Sequence, residues 1–120
     1  MKKTIMILAI VLTSLTVFGQ NITGDWNGRF HLKGKDLKVV FHISKTRSGF
    51  KSTMYSPDQK EFGMPVTFTS FNDSILTLEI VNAGIEYLGT IDKDNNFVGA
   101  MNLKQSNQLC PLILTKKEID

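Results

Sequence analysis

After residue 20, apolar and polar side chains alternate at period two in segment after segment. Successive side chains of a β-strand point to opposite faces, so this alternation predicts strands with one face in a core and the other in water. In the first segment Trp26, Gly28, Phe30 and Leu32 share one parity, and Asp25, Asn27, Arg29 and His31 take the other. A turn at Lys33-Gly34-Lys35-Asp36 leads to a second segment, where Leu37, Val39, Phe41 and Ile43 alternate with Lys38, Val40, His42 and Ser44. Six more strands are predicted over residues 50–56, 64–71, 75–81, 85–91, 97–103 and 109–115, separated by turns rich in Gly, Asn, Asp and Ser. No helical periodicity and no repeat beyond the hairpin rhythm interrupts this order.

Eight strands joined in sequence and laid flat would leave two open edges, each a template for pairing with another chain. Closure removes both edges, so the expected fold class is all-β: a single small antiparallel up-and-down β-barrel of about eight strands, lipocalin-like in outline. Gly28, Gly89 and Gly99 fall inside strands, where a missing side chain lets a coiled sheet bend or a large neighbour approach the backbone. Pro65 and Pro111 fit strand ends or bulges. The inward parity collects Trp26, Phe30, Leu32, Val39, Phe41, Ile43, Met54, Val66, Phe68, Leu76, Leu78, Ile80, Tyr87, Met101, Leu112 and Leu114. So bulky a set predicts an interior filled by side chains, with no inward polar cluster to orient a ligand.

The first nineteen residues stand outside this pattern. Met1-Lys2-Lys3 and the apolar run from Ile5 to Phe18 have the layout of a secretory signal, with the cut expected before Gln20. The expected domains are therefore 1–19, a signal peptide, and 20–120, one β-barrel. Thr13, Ser14 and Thr16 interrupt the run and no later segment is apolar enough to span a bilayer, so a periplasmic or secreted protein with no membrane span after cleavage is expected.

Lys2 and Lys3 belong to the leader, and without them 12 basic residues face 11 acidic ones. That balance argues against a nucleic-acid partner. Cys110 is the sole cysteine, so the chain has no internal disulfide, and with no basic neighbour it reads as a small buried hydrophobe. No His, Cys and carboxylate spacing suits zinc. Asp92-Lys93-Asp94-Asn95-Asn96 begins like a calcium loop, but Phe97 replaces the required glycine and Leu103 the bidentate glutamate, which leaves a polar hairpin turn. No metal and no cofactor is expected.

Several short motifs occur in a specific order: Gly24-Asp25-Trp26-Asn27-Gly28, then Phe41-His42-Ile43, then Ser56-Pro57-Asp58-Gln59 with Gly63 and Pro65. Tyr87-Leu88-Gly89-Thr90, Gly99 and Pro111-Leu112 follow. Together they resemble the small β domain found ahead of the catalytic domain in secreted α/β-hydrolases of Bacteroidota, over nearly all of residues 20–120. The chain departs from that family at Tyr55, where an acidic residue is typical, and at Lys60-Glu61, where a small-residue step is typical. The resemblance implies an exported bacterial barrel that accompanies hydrolase domains, with a separate hydrolase or another exported protein as partner. It does not imply hydrolysis, because residues 20–120 hold neither a Gly-x-Ser-x-Gly elbow nor strand–helix repeats to carry one.

The sharpest candidate site is Ser56, Pro57, Asp58 and Gln59, where proline in a polar turn can hold side chains rigidly on a barrel rim for a partner or ligand; His42 is grouped with it. The simpler role for Ser56 and Asp58 is to satisfy backbone groups of the turn. Ser56, Asp58 and either His31 or His42 also supply the residue types of a hydrolytic triad, but sequence places none within reach of another, and no catalytic residue is expected. Three readings follow: a noncatalytic protein-interaction or accessory module, then a lipocalin-like carrier of a small hydrophobic ligand, and last a small hydrolase using Ser56.

Overall fold

The computed structural model describes residues 21–57 and 63–117, and the expected signal peptide, Asp58 and Gln59 lie outside them. The described chain is all-β, without an α-helix. Its strands are β1 (Gly24–Leu32), β2 (Lys35–Thr46), β3 (Gly49–Tyr55), β4 (Met64–Pro65), β5 (Phe68–Asn72), β6 (Ile75–Ile80), β7 (Ile85–Ile91), β8 (Phe97–Leu103) and β9 (Gln108–Leu114). A 3-10 turn, Val81–Ala83, joins β6 to β7. The strands form two antiparallel sheets in sequence order, β1 to β4 and β5 to β9.

Tight turns set the register. Leu32 pairs with Lys35 across Lys33 and Gly34, whose φ values of 52° and 77° are those of a type I′ hairpin. Asp73 and Ser74 make the corresponding turn between β5 and β6 without a glycine, at φ values of 53° and 69°. In the Asp92–Asn96 turn the Asp92 carboxylate accepts backbone N–H bonds from Asp94 and Asn96, both at 2.9 Å, so its acids serve the turn itself.

The expected strand over residues 64–71 is divided, giving nine strands rather than eight. At Val66 and Thr67 the chain passes from one sheet to the other. Val66 N–H donates to Ser52 O at 2.9 Å, and the Thr67 hydroxyl accepts from Val81 N–H at 3.0 Å. This crossing changes the parity of Phe68, expected in the core and found 53% exposed. Pro111 also differs from expectation, lying inside β9 opposite Ala100. It shares its backbone direction with Thr115, which bonds toward β1 rather than β8, so its missing N–H costs no bond of the β8–β9 ladder.

The two sheets meet along both sides. Asn27 and Thr115 exchange backbone bonds of 2.7 and 2.9 Å between β1 and β9. On the other side Ser52, buried, and Thr69 share a hydroxyl bond of 2.6 Å between β3 and β5. The apolar parities converge between the sheets: Trp26, Val39, Phe41 and Ile43 from the first meet Leu76, Leu78, Tyr87, Phe97, Met101, Leu112 and Leu114 from the second. Cys110 is buried among them. Two members were not anticipated. Phe97 packs 4.7 Å from Trp26 between ring centroids, and Ile22 lends its carbonyl to Trp26 Nε1–H at 2.7 Å. Burying each such large side chain stabilises the fold by about 1.5–3 kcal/mol.

Candidate binding recess

At the end of the molecule carrying the Lys33–Gly34 turn, the interior is not filled. The aromatic centre around Trp26, Phe41, Tyr87 and Phe97 stops short of this end, where a recess of about 170 Å³ opens. Its walls are Phe30 and Leu32 of β1, Leu37 and Val39 of β2, and Met54 of β3. Ile85, Met101 and Leu103 close the far side, and Tyr55, Ser56 and Met64 form the edge. Phe30, Leu32 and Met54 are inward residues in the expected sense, but they remain only partly buried because the space before them is open.

Of the described part of the Ser56–Gln59 motif, Ser56 reaches the recess and Pro57 is exposed beside it. The Ser56 hydroxyl donates to Lys38 O at 2.9 Å, which ties the start of the 56–63 connection to β2. That is the backbone-satisfying role of a turn serine. His42 lies elsewhere. It pairs with Asp25 across the β1–β2 ladder, with Nδ1 and Oδ1 2.6 Å apart on the outer face, and both side chains are 54% exposed. Along β2, His42 is four residues from Lys38, about 13 Å at the rise of an extended strand. No hydrogen bond joins His42 to Ser56, so the described residues do not assemble a serine–histidine pair. His31 is 81% exposed and stands 3.8 Å from Asp36, which Arg29 holds at 2.8 Å.

A second depression, of about 330 Å³, lies at the opposite end over Trp26 and the Asp94–Asn96 turn. Lys116 covers it, with Nζ 5.4 Å from the Trp26 ring centroid and 3.3 Å from Asn21 O. Among the described residues no three of His, Cys, Asp or Glu come together to hold a cation. In the core, burial pushes the Tyr87 phenol well above its ordinary value of 10.0. Its hydroxyl donates toward Leu112 O at 3.0 Å, with Phe97 O at 3.3 Å sharing the proton.

Comparison with protein-family models, with curated proteins and with solved structures finds no match.

The recess residues were legible as members of strands, but not as a site. Alternation reports the face of a side chain, whereas an opening depends on how far the opposite sheet reaches across. Leu37, Tyr55, Met64, Ile85 and Leu103 carry no motif that distinguishes a lining residue from a core residue.

Proposed function

We propose that this chain is a noncatalytic, exported β-barrel module that binds another protein by taking one of its apolar side chains into the recess. The observation that carries the reading is the size and lining of that recess. An apolar cavity of about 150 Å³ is large enough for benzene, whereas pockets for drug-sized ligands run from about 300 Å³ upward. A space of 170 Å³ edged by Tyr55, Ser56 and Met64 matches one aromatic or branched aliphatic group. The Asn27–Thr115 and Ser52–Thr69 seams support reading the two sheets as halves of one closed, lipocalin-like barrel. The leader-like first nineteen residues support export, and the family resemblance makes a separately encoded hydrolase domain the leading partner class.

A one-to-one complex isolated from the exported fraction of the native cell tests this. Filling the recess with Met54→Trp should abolish the complex while the chain stays folded. A chain that remains alone, or a complex indifferent to Met54→Trp, would contradict the reading. The apolar lining also favours a second reading, carriage of a small hydrophobic ligand. It predicts stoichiometric binding of a fatty acid, which a space of this volume does not accommodate whole.

A further inference from the structure

The two sheets present different outer faces. That of β1 and β2 is charged, carrying Asp25, Arg29, His31, Lys38 and His42. That of β5 to β9 is not. The strand register aligns its outward residues in rows that cross all five strands, and Phe68, Ile75, Leu88, Val98, Leu109 and Ile113 among them are exposed by 43% to 70%. The remaining positions are Ser, Thr, Asn, Ala and Pro, with two exceptions. Glu79 and Glu86 are the only charged side chains on the face, and the register sets them directly opposite each other.

Both features run against what an isolated sheet requires. A solvated antiparallel face ordinarily carries charge, and contiguous exposed apolar surface marks an interaction site. Like charges placed opposite each other across two strands destabilise the pairing. Neither glutamate has an ion pair or side-chain hydrogen bond among the described residues, where the ion pairs lie on β1 and β2. The carboxylates sit in a row between Phe68 and Leu109, beside Leu88, so a molecule covering this apolar surface would desolvate them.

That requirement selects the occupant. A second copy docking through the same face brings no basic residue from it, and would bury carboxylates without a counter-charge, which is strongly unfavourable. An anionic lipid surface would repel them. We propose that the outer face of β5 to β9 is a docking surface for a different protein, one that presents an apolar patch with arginine or lysine placed against the Glu79–Glu86 pair. This rests on the reading of the chain as a protein-binding module and adds a surface separate from the recess. Arginine suits the position best, because its guanidinium can bond two carboxylates at once and is more weakly hydrated than an ammonium.

The test uses the isotope-labelled full chain and two synthetic amphipathic strand peptides, identical except that two central arginines in one are glutamines in the other. The arginine peptide should shift the amides of Leu88, Ala100 and Asn102 and bind about tenfold more tightly than its twin, a difference expected of a desolvated charge pair. That ratio should fall to about one in Glu79→Gln/Glu86→Gln, a pair of changes that removes charge and leaves shape intact. Absence of shifts with either peptide, or equal affinity for both, overturns the proposal. So do shifts of the same amides that grow with the chain's own concentration, which would identify a second copy as the occupant. Shifts confined to Met101 and Leu103 and lost in Met54→Trp would overturn the outer-face assignment while leaving the recess reading intact.

Discussion

The phenol of Tyr87 occupies the space that a side chain at Gly89 would need: a Cβ built on Gly89 would stand 2.7 Å from the ring carbon Cζ. The two residues lie on the same face of β7, and the ring passes over the glycine to reach Leu112 O. Gly89→Ala forces the ring out of a closely packed core and is expected to lower stability by about 1–3 kcal/mol. Tyr87→Phe keeps the ring, loses the hydroxyl bond and should cost about 1–2 kcal/mol. Urea unfolding midpoints of the two variants check both values, and a wild-type midpoint for Gly89→Ala would refute the packing.

Alkaline stability follows from the same phenol. Its folded pKa is raised by burial above the unfolded value of 10.0, so only the unfolded chain loses this proton between the two. The contribution is fully present below pH 10 and is lost as pH rises from there toward the folded value, at up to about 1.4 kcal/mol per pH unit. Denaturation measured from neutral to alkaline pH should show this decline in the wild type and a shallower one in Tyr87→Phe. Parallel profiles would exclude Tyr87 as its source.

Ser56 and His42 are expected to act independently. Ser56→Ala removes the bond to Lys38 O and should cost about 0.5–1.5 kcal/mol, whereas His42→Ala on the outer face should stay within about 0.5 kcal/mol of wild type. With His42 four residues along β2 from Lys38, the residue that Ser56 bonds, the double variant should show the sum of the single effects. A coupling well above about 0.5 kcal/mol in denaturant unfolding would show that they form a unit after all.

Much of this fold was legible from residue parity. Trp26, Val39, Phe41 and Ile43 are all buried as their parity predicts, although Val40, expected on the polar parity of β2, is buried as well. Phe68 was misassigned because it follows Val66 at the same parity, and a strand that stops pairing with β3 and starts pairing with β6 leaves no mark in a count of two. Phe97 was missed as a core residue because its neighbours are turn residues; its burial comes from Trp26 and Phe71, 71 and 26 positions away in the chain. Of the candidate site, the Ser56 turn was visible as a proline-containing polar cluster. The recess beside it was not, since it is lined from β1, β2, β3, β4, β7 and β8 together, and parity assigns each residue to a face but not to an opening.

The Glu79–Glu86 pair should weaken the isolated chain. Glu86→Gln relieves a cross-strand repulsion and is expected to raise stability by about 0.2–1 kcal/mol, more at low salt than at high salt. Thermal unfolding at two ionic strengths reads this directly. A loss of stability would mean that the carboxylate has a favourable contact within the chain.

The capacity of the recess for a single apolar group is tested most directly by titrating the full chain with benzene and following the side-chain resonances of Met54, Met101 and Leu103. Saturable shifts at these three residues, with those of Met101 and Leu103 absent in Met54→Trp, are the predicted result. Unmoved resonances, or shifts of Met101 and Leu103 that persist unchanged in Met54→Trp, would contradict a recess that receives one side chain of a partner.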